Sequence, residues 1–190
     1  MTVKRKSKAT YMITAVASVD SGKDVILKTE RLILRKFVTE DAEALAAVLG
    51  DPVAMEFYPA ALDRPGVEDW IGRNIQRYQR NGFGLWAMVL RGSDELIGDC
   101  RCMMQEVEGK NEIEVGYHVR RDLWGNGYAT EAAQTSMEHA FTSLGAARVV
   151  SMIRPENKPS RRVAEKNGLT CEKIILWRGF DHCIYTKNKI

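Results

Sequence analysis

No stretch of this 190-residue chain approaches the roughly 18 unbroken apolar residues that a membrane-spanning helix needs, and its most strand-like segments are interrupted by Arg, Glu or Gly. Cysteine is sparse: Cys100, Cys102, Cys171 and Cys183 form no C-x-x-C pair. The three histidines, His118, His139 and His182, are scattered, so the spacing of a zinc site is missing. Cys100 and Cys102 are two residues apart and would share one face of a strand, where they read as small buried apolar residues. Reduced thiols and a cytoplasmic location are the expectation. There is no internal repeat. With 45% apolar and 28% charged residues, disordered, collagenous and fibrous classes are excluded, and the length suits one core.

A basic field over the body is also missing. The formal net charge is +3, but Lys4, Arg5, Lys6 and Lys8 crowd the first ten residues. Without those four, 24 bases face 25 acids, a net charge of −1. The excess is a tail, so nucleic-acid binding is not expected. Tyr11 to Ala17 after this tail has the outline of a secretory leader, but it is short and broken by Thr14, so export is not expected. Residues 1–25 are expected to be a flexible basic extension, and residues 26–190 a single domain.

What is present is a sequence of alternating periods. A strand pattern runs from Ile26 to Phe37, then a helix capped by Thr39 with Ala42, Leu45, Ala46 and Leu49 inward, stopped at Gly50. A second helix carries Val67, Trp70, Ile71, Ile75 and Tyr78 on one stripe. Phe83–Leu90, Glu95–Gln105 and Glu112–Val119 read as antiparallel strands joined by short polar turns. A long helix from Gly127 to Leu144 follows, then a strand over 147–153, a short helix over 158–167 and strands over 169–177 and 182–187. The order predicts an α/β fold: a mixed sheet of about seven strands covered by about four helices.

The chemistry is concentrated where the strand ending at Val119 runs through Trp124-Gly125-Asn126-Gly127-Tyr128-Ala129-Thr130-Glu131 into a helix. Two glycines before a helix start aim several unpaired backbone N–H groups at one point, which suits an anion such as a phosphate. The loop lacks the G-K-[ST] of a Walker loop and the third glycine of a dinucleotide fingerprint. About 30 residues later comes Asn157-Lys158-Pro159-Ser160-Arg161-Arg162-Val163-Ala164-Glu165-Lys166-Asn167-Gly168.

The pair V-x-x-x-x-W-G-N-G-Y-A-T-E-A and N-x-x-S-x-x-V-x-E-K-x-G resembles the GNAT superfamily of acetyl-CoA-dependent N-acetyltransferases. It is similar in particular to the branch holding ribosomal-protein N-terminal acetyltransferases, which also opens with a strand like Thr29-Glu30-Arg31-Leu32-Ile33-Leu34-Arg35. The likeness runs from about Ile26 to Thr186; Trp124 stands where the superfamily often has Arg or Gln.

The resemblance implies a sheet with a V-shaped splay between its fourth and fifth strands, where the pantetheine arm of acetyl-CoA pairs with unpaired backbone. It implies pyrophosphate on the N–H groups of Gly125 to Thr130, an oxyanion donor near His118 or Val119, and a pantetheine contact from Asn157. Arg120, Arg121 and Arg161 are candidates for the adenosine 3′-phosphate. Ser160 is the candidate acid toward the leaving sulfur, with a plain helix-start role as its alternative. Glu114, sharing a strand face with Gly116 and His118, is the first candidate base, ahead of Glu106 and His118; space above Gly116 would admit the acceptor amine. No metal is implied.

The resemblance implies a primary amine as acceptor, a protein N-terminus or a small molecule; Glu56, Glu68, Asp69 or Asp181 at its mouth would favour a polycation. The expected assembly is a monomer or homodimer, with no membrane or nucleic-acid partner. The competing reading is a CoA-binding sensor without turnover.

Overall fold

The computed structural model describes residues 24–190. The basic leader, apart from its last two residues, lies outside the described residues. The chain runs β1 (Val25–Lys28), β2 (Leu32–Arg35), α1 (Ala42–Leu49), α2 (Arg64–Asn81), β3 (Leu85–Leu90), β4 (Leu96–Val107), β5 (Lys110–Val119), α3 (Tyr128–Thr142), β6 (Arg148–Ile153), α4 (Lys158–Lys166), β7 (Thr170–Trp177) and β8 (Phe180–Asn188). One sheet takes all eight strands in the order β1-β2-β3-β4-β5-β6-β8-β7.

The extra strand comes from the first segment. The single strand expected over Ile26 to Phe37 doubles back at Thr29-Glu30-Arg31 into an antiparallel hairpin. Thr29 makes the reversal: its N–H donates to the Leu32 carbonyl at 2.9 Å and its hydroxyl accepts from the Leu32 N–H at 2.9 Å. A hydroxyl that satisfies its own backbone in this way favours a turn over continued pairing.

Period-two alternation in β2 to β5 sends side chains to opposite faces, and each face is a core. On one face Trp86, Met88, Cys100, Cys102, Val115 and Val119 pack against Ala132, Ala133, Met137 and Ala140 of α3. On the other, Leu85, Ala87 and Val89 pack against Leu45, Val48 and Leu49 of α1 and Val67 and Ile71 of α2. Cys100 and Cys102 are free and buried as small apolar residues, and burial pushes the Cys100 thiol up to about 12.

The α1–α2 face is tied to the sheet by buried polar bonds. Arg35 grips Asp41 with both terminal nitrogens, each at 2.7 Å, and Asp41 also accepts from the Val38 N–H at 3.0 Å. Asp41 therefore makes the side-chain bond at this helix start; the expected cap, Thr39, makes none. α2 starts with Asp63 accepting from the Gly66 N–H at 2.9 Å and Pro65 in its first turn, and ends at Gly82 with φ +78°. No helix among the described residues is long and apolar enough to cross a membrane.

Candidate active site

β5 and β6 are parallel neighbours that pair only at Ile113↔Val149 and Glu114↔Val150, then part. Which groups face the gap follows from the antiparallel ladder on the other side of β5. In such a ladder one residue turns N–H and C=O toward its partner strand and the next turns both away. The Arg120 N–H donates to the Ile97 carbonyl at 2.8 Å in the register that pairs Gly98 with Val119 and Asp99 with His118. Odd-numbered residues of β5 therefore turn their backbone toward β6.

Two of their carbonyls are held there by side chains. Val115 O accepts from the Ser151 hydroxyl at 2.5 Å, and Val119 O accepts from the Trp124 indole N–H at 2.7 Å. The Tyr117 N–H and C=O and the Val119 N–H are left pointing into the gap. His118, also expected to offer a backbone donor, belongs to the even set and spends its N–H on β4. Val119, one step along, turns its N–H to the gap instead, because a single residue step reverses direction.

Beyond the gap lies the glycine loop. Gly125 and Gly127 sit at φ +82° and +84°, a region that side chains with a Cβ rarely enter, and a Cβ at Gly125 would meet open space. Asn126 closes the loop by donating to Leu123 O at 3.0 Å. Gly127 caps α3, and the first internal bond is from the Glu131 N–H to Gly127 O, which leaves the N–H groups of Tyr128, Ala129 and Thr130 at the helix mouth.

Sequence reasoning assigns no role to Arg31, yet it holds this loop in place. Its guanidinium bonds Glu131 and the Asn126 carbonyl, at 2.7 and 2.9 Å, and lies 4.6 Å over the Tyr128 ring. Burial pushes the Glu131 carboxyl up, but the Thr29 hydroxyl and the N–H and guanidinium of Arg31 outweigh it and hold the group below the usual carboxylate range. The T-E-R of the opening hairpin and the E of the loop motif are one latch, invisible in sequence because 100 residues separate its halves.

A cavity of about 440 Å³ opens from the splay. Its walls include Val115, Tyr117, Met152 and Ile153 from the parted strands, Glu114, and Asn157 and Ser160 at the start of α4. Asn157 Oδ1 accepts from the Ser160 N–H at 3.1 Å, so Asn157 caps α4 at the edge of the cavity. The Tyr117 hydroxyl donates to the Ser160 carbonyl at 2.8 Å. The Ser160 backbone is thus pinned at both ends in a residue that lines the cavity.

The face above β5 differs from the expected open entrance. Gly116 pairs with Arg101 across the sheet, and the Arg101 side chain lies over it so closely that a Cβ there would be 2.7 Å from Arg101 Nε. Arg101 donates to Glu114 at 3.4 Å and to the Tyr58 hydroxyl at 3.3 Å. Burial opposes its charge, but Glu114, Tyr58 and Asp99 outweigh burial and raise its pKa above the ordinary arginine value. Glycine at 116 makes room for a guanidinium rather than for a passage.

His118 is buried on the same face, its Nδ1 2.9 Å from Asp99 and its ring 4.9 Å from that of Tyr58, and it does not line the cavity. Glu106 is exposed at the far end of β4, so Glu114 is the one of the three candidate bases on the cavity wall. The candidate phosphate arginines have internal partners: Arg120 binds Glu95 and Asp122, Arg121 binds Asp51, and Arg161 donates to the Tyr185 hydroxyl and the Pro155 carbonyl.

The sequence profile of the acetyltransferase (GNAT) domain matches residues 31–170. The N-acetyltransferase p20 of Bacillus licheniformis is 32% identical over 157 residues, 82% of this chain and 86% of its own. A GNAT-family acetyltransferase from Bacillus anthracis superposes with a TM-score of 0.74 at 27% identity, covering 85% of this chain and 96% of that one. A ribosomal-protein-serine acetyltransferase from Vibrio cholerae shares the fold, with a TM-score of 0.73 at 20% identity over 85% of this chain and 96% of its own. The chain belongs to the GNAT acetyltransferases, and its expected mixed sheet with a splay is the fold observed, the parting lying between β5 and β6.

Proposed function

We propose that this protein transfers the acetyl group of acetyl-CoA to a primary amine, with donor and acceptor held together in one cavity. The observation that carries the reading is that this cavity is walled at once by the parted strands, by the Glu114 carboxylate and by Ser160. The residues present suit the donor. Tyr117 and Val119 offer strand hydrogen bonds to an extended amide-bearing arm, and the mouth of α3 offers N–H groups to a pyrophosphate.

Acetyl-CoA supplies an activated acyl group, and the chain supplies position and proton transfer. Glu114 takes a proton from the arriving ammonium, so that the nitrogen lone pair can attack. The Val119 N–H, directed into the gap, donates to the carbonyl oxygen as negative charge grows on it. Ser160 gives its hydroxyl proton to the departing sulfur. The C–N bond forms, the C–S bond breaks and the coenzyme leaves as a thiol, while the nitrogen gives its second proton to the Ser160 oxygen, which restores the hydroxyl and leaves a neutral amide.

Thiol release from acetyl-CoA across a panel of amines tests this reading. Glu114→Gln should lose rate, and lose most with amines of high pKa, which arrive fully protonated at pH 7. An equal loss across all amines, or none, removes Glu114 as the base. If no amine releases thiol while acetyl-CoA still raises the melting temperature, the protein is a CoA-binding sensor.

A further inference from the structure

The acceptor side of the cavity carries the charge opposite to what a polyamine needs. Arg101, Arg154 and Arg178 line it against one carboxylate, Glu114. The acids expected at its mouth, Glu56, Glu68, Asp69 and Asp181, are exposed and outside the lining. Two of the arginines are stacked on aromatic rings: Arg154 lies 4.2 Å over Phe180 and Arg178 lies 4.3 Å over Trp177.

Arg101 is placed differently. Its side chain is 14% exposed, and that of Glu114 is 7% exposed, so both are reached from the cavity and hardly from elsewhere. Both of its hydrogen bonds, at 3.4 Å to Glu114 and 3.3 Å to Tyr58, are long for a charged donor, which normally closes to about 2.7–2.9 Å. Its Nε is buried without a partner. A guanidinium has five N–H donors in a flat fork, and a carboxylate fits that fork with two parallel bonds. Burying the fork with donors unused is unfavourable, and a bound anion removes the deficit. Glu114, beside it, is an acceptor for an ammonium. Opposite charges 3.4 Å apart, under walls supplied by Phe57, Tyr58, Trp70 and Trp177, match a small zwitterion that carries a ring or a large apolar group.

We infer that the acceptor is a free α-amino acid with an aromatic or large apolar side chain, its carboxylate on Arg101 and its ammonium on Glu114. The inference rests on the acetyl-transfer reading above and names that reaction's substrate class. In the balanced reaction the ammonium loses two protons, one ending on the coenzyme thiol and one reaching solvent through Glu114, as the C–N bond replaces the C–S bond. A peptide N-terminus presents an ammonium with a neutral amide where the carboxylate would be, and a polyamine presents further positive charge to three arginines. Both leave the Arg101 fork unmatched.

The test compares four acceptors with the full-length protein and acetyl-CoA: phenylalanine, phenethylamine, a peptide with an N-terminal phenylalanine, and spermidine. Phenylalanine should exceed each of the others in kcat/KM by about 10- to 100-fold, the range expected for a hydrogen-bonded charge. In Arg101→Gln the ratio of phenylalanine to phenethylamine should fall toward one, mainly through KM for phenylalanine. If phenethylamine, the peptide or spermidine equals or exceeds phenylalanine, the inference is overturned, and the wild-type comparison is decisive even where the variant does not fold. If no amine releases thiol, the transfer reading fails, and titration calorimetry of phenylalanine into the protein saturated with CoA decides the inference separately. Binding that exceeds that of phenethylamine supports it, and no binding overturns it.

Discussion

Ser160 shows how a residue acquires a role from what its neighbours take away. Asn157 occupies its N–H and Tyr117 its carbonyl, so the hydroxyl is the polar group these two contacts leave over in a residue that lines the cavity. Ser160→Ala should lower kcat by about one to three orders of magnitude, near the range of general acid catalysis, with little change in the affinity for acetyl-CoA. Steady-state kinetics beside a titration of acetyl-CoA separates the two effects, and unchanged kinetics would leave Ser160 as a helix-start residue. Tyr117 is the supporting partner. Burial pushes its phenol far above the ordinary value, so at neutral pH it stays a hydrogen-bond donor to the Ser160 carbonyl.

At the scale of elements, the glycine loop and its latch act as one unit. Gly127→Val puts a branched side chain at φ +84°, where it is strained and crowds the helix mouth. It should abolish the stabilisation by acetyl-CoA, which for a ligand at one hundred times its Kd is about 2.7 kcal/mol. A rise in melting temperature equal to the parent's would refute the placement of the pyrophosphate.

The latch has its own pH signature. The Glu131 carboxyl is held below its usual range, so its contribution to stability is fully present above the unfolded pKa of about 4.3 and fades as pH falls through the lower, folded value. The difference in melting temperature between parent and Glu131→Gln should therefore be constant from about pH 5 to pH 8 and shrink below about pH 4. A difference that grows on acidification would contradict the pairing with Arg31.

Much of this scale was legible in the sequence. The loop, both helices flanking the gap and the turn glycines all announce themselves through local spacing. What was not legible needed register. That Gly116 faces Arg101, that Val119 and not His118 turns to the gap, and that Arg31 meets Glu131 all depend on pairing between segments far apart in the chain. Where β4 and β5 slip by one residue, the first two of those statements invert.

As a whole molecule the protein is one sheet of two plates that share a narrow seam. β1 to β5 form one plate and β6, β8 and β7 the other; the backbones of β5 and β6 pair at two positions, Ile113↔Val149 and Glu114↔Val150, with the Ser151 hydroxyl on the Val115 carbonyl beside them. The cavity walls come from both sides of the seam: Tyr58, Trp70 and Arg101 on one, Arg154, Trp177 and Phe180 on the other. An arm laid along Tyr117 and Val119, as proposed, would add the missing rungs between the plates and set the distance across the cavity. Binding should therefore be ordered, acetyl-CoA before the amine, and product-inhibition patterns report the order; a random pattern would mean that the plates keep their spacing unaided.

The same seam has a consequence in hydrogen exchange. Most strand amides of the sheet are shielded by a neighbouring strand whether or not ligand is present, but those of Tyr117 and Val119 have no strand opposite them. If the arm of acetyl-CoA lies along them, deuterium uptake at these two positions should fall when it binds, and the unfinished part of the sheet would serve as a built-in gauge of occupancy.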